Sequence, residues 1–209
     1  KGNHQITSSW TTSYGGVRQT TLGITRSNIT FLGQGTGETT ILGGIGIANV
    51  QNITLKQLTL TNTNGQGILM YGAVVALVDV ATVHCGNTGI RVDKTTSIPS
   101  QLVAKRCEMS NNGGSGLFIY NTHNNISQNV CLKNCISHHN SNSGIYVSSK
   151  GVVNIHGDAT SVHSNGRHGI GAHDSAEVLI HLPSHHNTSY NNEGADRDTD
   201  GGGTITNVD

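Results

Sequence analysis

Charge, aromatic rings and proline are all scarce in this chain of 209 residues. Charged residues make up 11% and divide evenly, so no basic patch stands out and nucleic acid is not an expected partner. Aromatics are only 4%, too few to build a core on rings. No apolar run is long enough to cross a membrane, and no signal-peptide pattern is present. No segment carries the period of an amphipathic helix, which argues against a helical bundle. Four cysteines do not settle the redox compartment. Glycine, by contrast, is abundant at 28 residues, which suits many tight turns.

The glycines are ordered. Gly67-Ile68-Leu69-Met70, Gly89-Ile90-Arg91-Val92, Gly116-Leu117-Phe118-Ile119, Gly144-Ile145-Tyr146-Val147 and Gly169-Ile170-Gly171-Ala172 repeat one phrase, with Gly46-Ile47-Ala48-Asn49 as a weaker first copy. A repeat of 20 to 50 residues marks a solenoid. The first and third residues after each glycine are apolar or small and the second is free. That period of two predicts a short strand with one buried face. A second strand follows in each unit, as in Ile53-x-Leu55-x-x-Leu58-x-Leu60 and Leu102-x-Ala104-x-x-Cys107-x-Met109. The two-residue gap breaks the alternation and predicts a bend. One such unit cannot bury its own apolar face, but stacked units can, with strands about 4.8 Å apart.

Asn112, Asn140 and Asn165 each stand four residues before the next phrase. They form either a side-chain amide ladder or a set of left-handed turn residues. Cys107 and Cys135 share one inward position in successive units, as a bridge or as stacked free thiols. Cys85 reads as a turn residue and Cys131 as an outward one.

With these phrases the sequence resembles the right-handed parallel β-helix of the pectate-lyase-like superfamily over nearly its whole length. The resemblance implies an all-β solenoid of about seven to eight coils. It is weak for function, because that fold carries lyases, hydrolases, epimerases, adhesins and tail proteins. Residues 1–45 form the opening coils, since Asn28-Ile29-Thr30-Phe31 and Asn52-Ile53-Thr54-Leu55 are one period apart. Residues 46–180 are the regular coils. Residues 181–209 are expected as a long polar loop followed by the start of a further coil. The first residues read as the middle of a coil, and neither end shows an obvious polar cap, so end-to-end stacking of copies is expected.

The outward positions of the glycine-led strands gather Tyr71, Arg91, Asp93, Phe118, Tyr120, Tyr146 and His173. Aromatic faces stack on sugars and charges bind hydroxyls or uronate carboxylates, so this is a candidate glycan or partner face. Plain cross-strand packing is the alternative. Asp196-x-Asp198-x-Asp200-Gly201 has the spacing that opens a calcium loop, although the twelfth position is Asn207 rather than a glutamate. A solvated acidic loop is the other reading, and no cofactor is certain. The histidines cluster in turns, at His84, His138, His139, His163, His168, His185 and His186, and surface polar turns account for most of them. Sequons at Asn28, Asn52, Asn125 and Asn187 are candidate glycosylation sites.

Catalysis has a thin signal. Arg91, Asp93 and Lys94 lie three coils from His173 and Asp174, about 14 Å. No acidic pair is visible at matching positions in adjacent coils, and the paired aspartates of polygalacturonases and the arginine signature of pectate lyases are missing. The sequence therefore favours a non-enzymatic extracellular or cell-surface β-helix, a rod, fibre subunit or glycan-associated protein. A lyase or hydrolase acting on an acidic glycan, and a glycan-binding module, are the alternatives.

Overall fold

The computed structural model describes residues 1–12, 15–93, 98–120, 128–183 and 188–209. The chain winds as a right-handed β-solenoid of about seven turns, with no helix among the described residues. The glycine-led strands form one parallel sheet of eight. In spatial order these are Thr21–Ile24, Gly44–Ala48, Ile68–Tyr71, Ile90–Val92, Leu117–Tyr120, Ile145–Ser148, Ile170–His173 and Arg197–Asp200. The second strands form a parallel sheet of fourteen that wraps the rest of each turn. Its long members bend where expected. Gln57 and Asp79, inside Ile53–Thr61 and Val74–Val83, have φ of 55° and 53°, and Arg106 and Asn134 occupy the same left-handed place at 50° and 53°.

Register stacks like on like. Ile45, Ile68, Ile90, Leu117, Ile145 and Ile170 pair in sequence across the eight-stranded sheet, and each is no more than 1% exposed. Fully burying such a side chain is worth about 1.5–3 kcal/mol, and the column repeats once per turn. The column ends at Arg197, opposite Ile170, where the guanidinium donates to Asn207 Oδ1 at 2.9 Å.

The asparagines do form a ladder. Asn112 Nδ2 donates to Asn140 Oδ1 at 2.9 Å, Asn140 Nδ2 to Asn165 Oδ1 at 3.0 Å, and Asn165 Nδ2 to Asn192 Oδ1 at 2.9 Å. Each Oδ1 also accepts the backbone N–H of the asparagine one turn earlier. The ladder explains the glycines. A Cβ on Gly116 would lie 2.9 Å from Asn140 Nδ2, and one on Gly144 would lie 2.7 Å from Asn165 Nδ2. The glycine of one turn vacates the space that the next turn's amide fills.

One expectation changes. The stretch expected as a polar loop from 181 holds the end of strand Glu177–His181, then Ser189–Tyr190 and Arg197–Asp200, which is one more turn. Its phrase is disguised because Asp196, Arg197 and Thr199 replace the glycine and the apolar residues. Cys85 does lie in a turn, and that turn is closed. It is 1% exposed and stands in the ladder position, its backbone N–H donating to Asn112 Oδ1 at 3.0 Å. Burial pushes its thiol up to about 11. Cys107 and Cys135 are stacked free thiols. Their mutual hydrogen bond, then burial, holds the Cys107 thiol far above the usual range.

Candidate functional site

Outward residues of the eight-stranded sheet fall in two columns. One runs Gly46, Leu69, Arg91, Phe118, Tyr146, Gly171, Asp198. The other includes Tyr120, Ser148, His173 and Asp200. The parallel register fixes both, because each side chain sits directly above its equivalent in the previous turn.

The middle of the face brings together five of the residues expected there, Arg91, Asp93, Phe118, Tyr120 and Tyr146. The Arg91 guanidinium lies 5.2 Å from the Phe118 ring centroid, and its Nη2 approaches the Asp93 carboxylate at 3.3 Å. Phe118 packs tilted on Tyr146 at 5.5 Å and on Tyr120 at 6.0 Å. Arg91, Phe118, Tyr146 and Arg167 line one cleft of about 250 Å³, together with Asn87, Thr88, Asn142 and Ser143. Two guanidiniums and two rings around a polar cleft suit a sugar that carries a carboxylate. Lys94 lies outside the described residues.

Tyr71 does not belong to this exposed face. It is 3% exposed because Trp10 stacks on it, at 5.8 Å between centroids and 22° between planes. The indole lies flat where Gly23 and Gly46 leave room, since a Cβ on either would fall 2.2 and 2.1 Å from it. Trp10 comes from a two-stranded hairpin, Trp10–Thr11 with Val17–Arg18, folded back over the sheet. No periodicity announces a strand that lies across the repeat rather than within it.

At the other end the face carries a hydrogen-bonded chain. Tyr146 Oη lies 3.0 Å from His173 Nδ1, and His173 Nε2 lies 2.6 Å from Asp198 Oδ2. His168 Nε2 is 3.4 Å from the same oxygen. An ionised carboxylate only accepts, so the neutral imidazole carries its proton on Nε2 and offers the Nδ1 lone pair to the Tyr146 hydroxyl. His173 reaches both partners because Gly171 leaves the slot between them empty. Burial raises the pKa of the Tyr146 hydroxyl, Asp174, Asp198 and Asp200 raise it further, and Arg167 acts the opposite way.

Arg91 and His173 stand three turns apart, as the spacing expected, with Tyr146 between them, and Asp198 of the following turn meets His173 without forming a matched pair of acids. In the stretch read as a calcium loop or a solvated acidic loop, Arg197–Asp200 form a strand and Asp196 stands just before it. Asp196 accepts from Asn192, and Asp198 faces the two histidines. Among the described residues no three His, Cys, Asp or Glu side chains are placed to hold a metal ion.

The remaining sites lie elsewhere. Asn28 and Asn52 are exposed on successive turns, and Asn52 Nδ2 donates to Asn28 Oδ1 at 2.8 Å. Asn125, Asn187, His185 and His186 lie outside the described residues. His138 stacks on His163 at 5.2 Å, and His163 on Tyr190 at 5.0 Å, along the fourteen-stranded sheet. No helix of the described residues is long and apolar enough to cross a membrane.

The family model for the right handed beta helix region matches residues 19–194, so the chain belongs to that family. Among solved structures it is similar to the A-module of mannuronan C-5 epimerase AlgE4 from Azotobacter vinelandii, at 12% identity and a TM-score of 0.40 over 81% of this chain. The chain spans 61% of the length of that module. It is also similar to PfbA, a surface adhesin of Streptococcus pneumoniae, at 10% identity and a TM-score of 0.30, covering 90% of this chain and 72% of that one. A search of curated proteins by sequence finds no match.

Proposed function

We propose that this β-helix acts outside the cell on an acidic polysaccharide, cutting it by β-elimination on the Arg91–Asp198 face. The observation that carries the reading is the Tyr146–His173–Asp198 chain opening beside a cleft flanked by Arg91 and Arg167. The arginines pair with a uronate carboxylate, which acidifies the C–H bond at the adjacent ring carbon. The Tyr146 oxygen takes that proton as its own passes to His173 Nδ1, and Asp198 stabilises the imidazolium. A carbon–carbon double bond forms, the C–O bond to the leaving sugar breaks, and that oxygen leaves as a hydroxyl by taking the proton now on Tyr146, whose oxygen recovers its own from the His173 imidazolium. Hydrolysis is less well served, because it needs two carboxyl groups facing each other across the glycosidic bond, and Asp198 is committed to His173.

A second reading has its own support. The Arg91, Phe118 and Tyr146 stack suits a sugar without any chemistry, so the face also fits a non-catalytic glycan-binding protein. The test is to incubate the protein with pectate, alginate and other uronate polymers and to follow unsaturated ends. Activity that falls about 10²–10⁴-fold in Tyr146→Phe supports elimination. Binding without unsaturated ends supports the second reading. Absence of binding to every polymer overturns both.

A further inference from the structure

Beyond the cleft of about 250 Å³ lies a larger one of about 580 Å³. It runs between the hairpin and the turns, lined by Val17, Arg18, Gln19 and Thr20 on one side and by Asn64 and Gln66 on the other. Asn87 lines both cavities, so they adjoin at that residue. Thr20 Oγ1 donates to Asn62 Oδ1 at 3.0 Å, which fixes the floor beside the hairpin.

Three cations line these two clefts. Arg91 lies in the fourth strand of the eight-stranded sheet, Arg167 in the turn that leads into the seventh, and Arg18 in the hairpin, three residues before the first. Both Arg18 and Arg91 have a buried Nε without a hydrogen-bond partner. Trp10 holds the hairpin in place, because Arg18 is its cross-strand partner and the indole is seated on Tyr71. The guanidinium of Arg18 is therefore presented to the larger cleft by a fixed support.

Resting on the acidic-glycan reading above, we infer that the hairpin forms a third anion subsite centred on Arg18. One polyuronate chain then lies along the two clefts with carboxylates at Arg167, Arg91 and Arg18. The subsite makes the protein a reader of chain length as well as of charge.

Affinity for oligogalacturonates and oligomannuronates of graded length tests this. Wild-type protein shows a step of about tenfold once the oligomer grows past the Arg91–Arg167 cleft and reaches Arg18, the worth of one charge-assisted contact. Arg18→Gln abolishes the step, and Arg18→Lys keeps part of it. Added salt flattens the step, because the clefts are open to solvent. If the step survives in Arg18→Gln, or affinity never depends on length, the third subsite is overturned while the acidic-glycan reading stands. If no oligomer of any length binds, that reading falls first and takes the subsite with it. Circular dichroism on Arg18→Gln confirms that the solenoid is intact.

Discussion

The carboxylate of Asp196 accepts from Asn192 twice, from its side-chain Nδ2 at 2.8 Å and from its backbone N–H at 3.2 Å. In the preceding turns those two donors belong to the next asparagine's Oδ1. Asp196 stands where the earlier turns have glycine, and with that substitution the ladder closes on itself. Asp196→Ala should leave both Asn192 donors without this acceptor. Faster amide hydrogen exchange at Asn192, with little change at Asn112, would show it. Asp196→Asn should keep most of the protection.

Within the ladder the cost should be larger. Asn140→Ala removes the acceptor of Asn112 and a donor to Met109 O and Asn165 Oδ1, all inside the protein. Each buried orphan costs about 1–3 kcal/mol, so a loss of at least about 2 kcal/mol is expected in thermal or denaturant unfolding. An unchanged midpoint would mean the ladder contributes no net stability.

Two glycine substitutions should behave oppositely. A Cβ on Gly116 meets Ser137 Oγ at 2.1 Å and Gly144 O at 2.7 Å, so Gly116→Ala should destabilise by more than about 2 kcal/mol. A Cβ on Gly171 meets the Tyr146 ring edge at 3.0 Å and touches His173 Nε2 at 3.9 Å, both on the outer face. Gly171→Ala should leave the unfolding midpoint nearly unchanged but displace Tyr146 from His173. The imidazole N–H resonance of His173, shifted by its bond to Asp198, reports this without any substrate.

Removing the plug should open the face. Trp10→Ala exposes Tyr71 and the Gly46 surface and frees the hairpin. Tyrosine near-ultraviolet dichroism should change and the length step at Arg18 should shrink. Trp10 is also the one tryptophan in the chain, so its emission in the wild type reads hairpin docking directly.

Acid should loosen the second sheet. Burial, then repulsion from His138 and His139, lowers the His163 pKa below its ordinary 6.5. Burial, then His181 and Lys133, does the same at His156, which stacks on His181 at 4.1 Å. Glu108, 3.3 Å from His138 Nε2, is the facing carboxylate in the first stack. The folded values are depressed, so the unfolded chain binds protons more readily. Stability is then constant above about 6.5 and falls as pH drops below it. His163→Gln should flatten part of that decline. A thermal midpoint independent of pH between about 7 and 5 would refute the assignment.

Most of the winding was legible in the sequence, because a solenoid repeats its reasons. Ile68, Ile90, Leu117, Ile145 and Ile170 had to share one buried column once each followed its glycine by one residue. The constant offset of Asn112, Asn140 and Asn165 marked one shared position, and the structure decided for the ladder over isolated turn residues. The aromatic and cationic face around Arg91, Phe118 and Tyr146 followed from the same alternation. The turn after 181 escaped because its core positions are Arg197 and Thr199, although Asn192 keeps the four-residue offset to Asp196.

What periodicity alone determined, then, was the coil, its inward columns and which side chains face out. Tertiary structure decided what those outward side chains meet. Asp198 reaches His173 only because one turn is laid directly on another, and Trp10 covers Tyr71 only because a hairpin folds back across the repeat. The first follows the period only once Asp196, Arg197 and Thr199 are seen to stand for a glycine-led phrase, and the second joins residues whose separation carries no pattern.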